Sequence, residues 1–186
     1  LQSAADAPTF NGMNSALIAS KVPKSLGEVA ADLVFVPVTP CRLFDTRVAG
    51  GAIVANTVRG IDVTAVSSYG FQGGSNDDCG GVGAAGSFAA VAVNLTVVTP
   101  SGAGYITAFP TGGTQPLAAT VNYTAGAVVG NFAIVRLDQG AAANEMNIYS
   151  FATTHVVGDV VGYFINPQAT AVQCTTVQTS YSVPAG

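Results

Sequence analysis

The sequence predicts an all-β protein, a single antiparallel sandwich or barrel-like domain. Short stretches rich in Val, Ile, Thr, Tyr and Phe recur between residues 33 and 164, each stopped by Gly- or Pro-rich punctuation. No stretch sustains a helical apolar period of about 3.6 residues over several turns. The strand-like stretches also follow one another without helical patterns between them, which argues against a parallel α/β sheet.

Taken in order, residues 1–32 form an N-terminal arm of different vocabulary, with Asp6, Lys21, Lys24 and Glu28 around a brief apolar run at 16–19 that Asn14 could cap as one helical turn. Strand vocabulary begins at 33–38, where Pro37 suits an edge or a strand end. The run 89–98 follows and is closed by Thr99-Pro100-Ser101-Gly102, a turn signal. Further strands are expected at 104–109, 118–123, 127–137, 145–150 and 155–164. Residues 60–88 are the least regular part, and the glycine-dense stretch from 69 to 86 within them reads as a long surface loop. The β domain therefore spans 33–166. A Thr-, Val- and Ser-rich, strand-like tail takes up 167–186.

Composition narrows the function. Hydrophobic residues make up 49 % of the 186 and charged residues 9 %, against about 25 % charged in ordinary soluble domains. No apolar run is long enough for a membrane helix, and so weakly charged a β surface points to one partly covered by neighbours. With a net charge of −4, and Arg136 the only basic residue after Arg59, nucleic-acid binding is excluded and anionic membranes are disfavoured. The chain opens on Leu1 and is read as a mature secreted chain. Cys41, Cys79 and Cys174 allow one bridge and one odd thiol. Arithmetic leaves the pairing open, and position favours Cys41 with Cys79.

Charge concentrates in Pro40-Cys41-Arg42-Leu43-Phe44-Asp45-Thr46-Arg47. In an extended chain Asp45 and Arg47 share a face and Arg42 takes the other. The favoured role is an ion pair that fixes a loop to the sheet; a clamp for a carboxylate or sugar is the sharper alternative. Asn94, Asn122, Asn131 and Asp159 lie within strands, where Asn and Asp are poor formers. They are read as one polar layer satisfying loop backbone, with Asp159 facing Arg42 or Arg47. Calcium is the weaker reading of these oxygens and of Asn76-Asp77-Asp78.

Catalysis has little to draw on. His155 is the only histidine, no serine or cysteine has the context of an activated nucleophile, and no motif pairs the carboxylates of Asp45, Asp62, Asp138, Glu145 and Asp159. No cofactor is expected.

The segment at 35–47, ending in PCRLFDTR, resembles the opening of a β-rich module of secreted bacterial proteins whose function is not established. Its later signatures are similar too: AVNLTVV at 92–98, GYIT at 104–107, VNYTAG at 121–126, NFAIV at 131–135 and GDVVGYF at 158–164. The resemblance implies an extracellular location and a surface-architecture or binding role, without catalytic residues. The resulting expectation is a non-catalytic extracellular structural subunit. It would self-assemble into a filament, sheath or surface layer as a homo-oligomer or homopolymer, by strand exchange of its tails. The alternative is a carbohydrate- or cell-wall-binding module or adhesin with glycans as partners, although the chain has no Trp.

Overall fold

A computed structural model of the chain describes residues 33–64, 67–80 and 88–165. Its strands are β1 (Val34–Asp45), β2 (Thr57–Ile61), β3 (Phe88–Val98), β4 (Gly104–Pro110), β5 (Val121–Tyr123), β6 (Val128–Arg136), β7 (Met146–Ser150) and β8 (His155–Ile165). They build two four-stranded sheets, ordered β1-β8-β3-β6 and β2-β7-β4-β5, with every pairing antiparallel. The all-β expectation holds, as a β-sandwich. The N-terminal arm, the C-terminal tail and Cys174 lie outside the described residues.

Alternation explains how the sheets face each other. In β7, Met146, Ile148 and Ser150 are buried while Asn147 and Tyr149 turn outward. In β3, Val91, Val93, Leu95 and Val97 enter the core, and Asn94 and Thr96 are half-buried on the other face. Ile106, Val121, Val156, Val160 and Tyr163 complete the contact from neighbouring strands. Each buried Val, Leu or Ile contributes about 1.5–3 kcal/mol relative to exposure, so the two inner faces are the main stabilising term.

β1 is an irregular edge, as Pro37 suggests. Pro37 pairs with Gly162 and Cys41 with Val160, so four steps along β1 match two along β8. A second irregularity follows between Arg42 and Phe44. Prolines cannot donate to a ladder, and the bulged stretch accommodates both Pro37 and Pro40.

One strand was not expected and one expectation is corrected. Residues 57–61, where Arg59 and Gly60 dilute the strand signal, form β2 against β7. The described part of the glycine-rich stretch, residues 69–80, expected as a surface loop, folds back onto β1. Tyr69 within it is buried and its hydroxyl donates to the Val63 carbonyl at 2.7 Å. The Ser75 amide donates to the Arg42 carbonyl at 2.8 Å, and Gln72 Nε2 donates to the carbonyls of Leu43 and Asp62. No helix among the described residues is long and apolar enough to cross a membrane.

Candidate functional site

The charged segment of β1 meets β8 at one point. Arg42 pairs directly with Asp159, so both side chains rise on the same face. Arg42 Nε and Nη2 donate to the two Asp159 oxygens at 2.9 and 3.3 Å, a bidentate pair. Simple alternation sets Arg42 opposite Asp45. The irregularity between Arg42 and Phe44 overturns that expectation, and Arg42 Nη1 donates to Asp45 Oδ2 at 3.2 Å.

Asp45 is the buried centre of the cluster. Its Oδ1 accepts from the Arg47 amide at 3.0 Å and Arg47 Nε at 2.9 Å, and its Oδ2 from Arg47 Nη2 at 2.6 Å. The Arg47 side chain holds the Asp45 carboxyl below its usual range, burial opposes this, and Arg42 adds to it. The Asp159 side chain likewise raises the pKa of Arg42. Two arginines face two carboxylates, and both guanidiniums are engaged within the cluster while staying partly exposed. The arrangement fastens the edge strand β1 to β8 and fixes the turn after it. Next in the chain, Thr46 Oγ1 accepts from the Val156 amide at 2.9 Å and contacts His155 Nδ1 at 3.1 Å.

The four in-strand polar residues do not form one layer. Asn94 pairs with Asp159 on the side away from Arg42, and its Nδ2 reaches Thr96 Oγ1 at 3.4 Å. Asn131 lies on β6 and its Nδ2 donates to the Thr120 carbonyl at 2.8 Å, a strut to the other sheet. Asn122 is exposed on β5, opposite Tyr105. Only Asp159 and Asn94 share the row of Arg42, because the register sends Asn122 and Asn131 elsewhere.

Cys41 and Cys79 are joined in a disulfide with a Cα–Cα distance of 5.5 Å. The bridge, Pro40, Arg42, Asp77 and Asp78 line an open groove of about 760 Å³. Cys41, Cys79 and Asp77 bring potential ligand atoms within 4.8 Å of one another, but both sulfurs are consumed by the bridge. The carboxylates of the Asn76-Asp77-Asp78 turn, for which calcium is the weaker reading, fold onto their own backbone: Asp77 Oδ1 accepts from the Cys79 amide and Asp78 Oδ1 from the Gly80 amide. These are local turn contacts, not a converging shell.

No protein-family model, curated protein or solved structure matches the chain.

Two groupings escaped the sequence reading. Asp62 and Glu145 sit one step beyond the Ile61–Met146 pair, half-buried and buried. Glu145 Oε2 accepts from the Val63 amide at 2.9 Å and Asp62 Oδ1 from the Thr64 amide at 3.1 Å. Burial raises both carboxyl pKa values, and Asp62 raises that of Glu145 further. Tyr69, which both carboxyls influence, neighbours Tyr163, and Tyr163 is pushed up to about 12, chiefly by burial. Lone acids abutting apolar strands were the available signal. The second grouping is an aromatic patch of Tyr105, Tyr149 and Phe151; the last two are i and i+2 neighbours, and sheet register brings the distant Tyr105 to them.

Proposed function

We propose that the chain is a non-catalytic extracellular structural subunit that self-assembles into a filament, sheath or surface layer by adding strands between copies. One observation carries this reading: among the described residues, β6 is an unprotected sheet edge. A sandwich of two open sheets has four edges, and proteins normally block them with prolines, bulges, charges or shortness. β1 has Pro37, Pro40 and its irregular register. β2 and β5 are 5 and 3 residues long. β6 runs for 9 residues without proline, pairs with β3 alone among the described residues and ends on its single charge, Arg136. Its outer face leaves Val128, Phe132 and Ile134 68 %, 54 % and 59 % exposed. Such a strand is a template for another chain. The strand-like sequence at 171–183 supplies a donor of suitable composition. The disulfide supports an oxidising, extracellular setting.

Light scattering and negative-stain microscopy of the full chain test the proposal. Concentration-dependent assembly is expected, and Phe132→Lys with Ile134→Lys should abolish it while leaving circular dichroism unchanged. Removal of 168–186 should do the same. A full chain that stays monomeric at high concentration overturns the proposal.

A further inference from the structure

We propose that the outer face of the β2-β7-β4-β5 sheet carries a binding site for a neutral glycan, built on Tyr105, Tyr149 and Phe151. This goes beyond the assembly reading and uses a different surface. Tyr105 lies on β4, Tyr149 on β7, and Phe151 directly after β7, where its amide donates to the Tyr105 carbonyl at 3.0 Å. Ring centroids are 5.9 Å apart for Tyr105 and Tyr149, and 5.4 Å for Tyr105 and Phe151 with planes only 23° apart. The three rings make one contiguous aromatic surface.

The site is fitted to these rings. A Cβ on Gly104 would come within 2.8 Å of Phe151 Cδ1, so glycine there lets the ring lie against the β4 backbone. Tyr149 is oriented by its hydroxyl, which donates to Asn56 Oδ1 at 2.8 Å. The chain also provides its own cover for one half of this face. Thr107 and Phe109 are buried, and Thr107 Oγ1 donates to the Ala118 carbonyl at 3.1 Å in the segment after β4. Among the described residues the aromatic half has no such cover: Phe151 is 47 % and Val58 48 % exposed, and Tyr105 and Tyr149 are half-buried.

The surrounding chemistry selects the ligand. The outward strand positions, Val58 and Gly60 of β2, Asn147 and Tyr149 of β7, Tyr105, Thr107 and Phe109 of β4 and Asn122 of β5, carry no charge. An anionic polymer would find no cation there. Exposed Asn56 and Asn122 flank the rings and offer amide donors and acceptors. Apolar rings beside neutral amides complement a pyranose, which presents C–H groups on its faces and hydroxyls at its rim. Equatorial linkages keep those faces accessible along a chain, so the class is a β-linked neutral glucan or its N-acetylated counterpart.

Isothermal titration of the full chain with cellohexaose and with chitohexaose tests this, with a polygalacturonate oligomer as the anionic control. Saturable binding of one neutral hexasaccharide and none of the anionic one is expected. Tyr149→Ala and Phe151→Ala should each weaken it by about tenfold or more, while Tyr149→Phe, which keeps the ring, stays within a few-fold. Circular dichroism monitors folding of each variant. Phe132→Lys should leave sugar binding intact, which separates this site from the assembly edge. No binding of either neutral sugar overturns the inference, as does binding that both alanine variants leave unchanged. Loss of self-assembly in Phe151→Ala also overturns it, since the patch would then be a contact between copies.

Discussion

Arg42 and Asp159 occupy directly paired positions on β1 and β8 and are joined by two hydrogen bonds of 2.9 and 3.3 Å. Both side chains are partly open to water, 42 % and 32 % exposed, whereas Asp45 beside them is 3 % exposed. The cluster thus has a solvent-screened arm and a buried hub, and the two should respond differently to mutation.

Asp159→Asn removes one charge from the screened arm and should cost less than about 1 kcal/mol. Asp45→Asn takes the acceptor from a buried position that serves two arginines and a backbone amide. It should cost about 2 kcal/mol, discounted because both guanidiniums can return to water. Urea denaturation of the two variants decides the matter, and equal costs would contradict the hub.

Two sets of carboxyls give opposite pH dependences. Asp45 has a folded pKa held down chiefly by Arg47, so its stabilisation is present above the usual carboxyl pKa of about 4 and is lost as pH falls through the lower folded value. Asp62 and Glu145 have folded values raised chiefly by burial. Between the usual value and the raised one the folded state holds the extra protons, so stability declines as pH rises through that window and levels off above it. The urea midpoint should therefore peak in mildly acid solution. Glu145→Gln should flatten the decline on the alkaline side, and Asp45→Asn the decline on the acid side. A wild-type midpoint that rises steadily from pH 4 to 7 would refute the Glu145 assignment.

Much of the sandwich was legible because its strands are bounded by turn chemistry and carry β-branched alternation, as in 89–98 and 145–150. β2 was hidden by Arg59 and Gly60, which belong to a strand only because β7 pairs with it. The ionic cluster was legible as composition but not as geometry, since the irregularity that turns Arg42 toward Asp45 depends on β8. Register also dispersed Asn122 and Asn131 and brought Tyr105 to Tyr149 and Phe151. Long-range pairing of that kind leaves no local trace.

The disulfide closes a separation of 38 residues. Restricting a loop of that length in the unfolded chain stabilises the fold by about 4 kcal/mol in the chain-entropy model. Cys41→Ser with Cys79→Ser should lower the unfolding free energy by about that amount, and reductant should have little further effect on the double variant. Non-reducing peptide mapping should recover Cys41 linked to Cys79. A bridge from either residue to Cys174 would contradict the structure.

Phe44 lies fully buried against Gly158, its ring filling the space that a Cβ there would need. The two residues are paired across β1 and β8 immediately beside the ionic cluster, so the ring sets how closely the edge strand sits. Gly158→Ala should overpack this point and cost about 1–3 kcal/mol. Phe44→Leu removes part of the ring and carries its own cavity penalty, yet it makes room for the new methyl. The double variant should then be more stable than the sum of the single effects by at least about 0.5 kcal/mol. Urea unfolding of the four proteins measures that coupling. Strict additivity would show that the two positions are uncoupled and that Phe44 does not fix the spacing of β1.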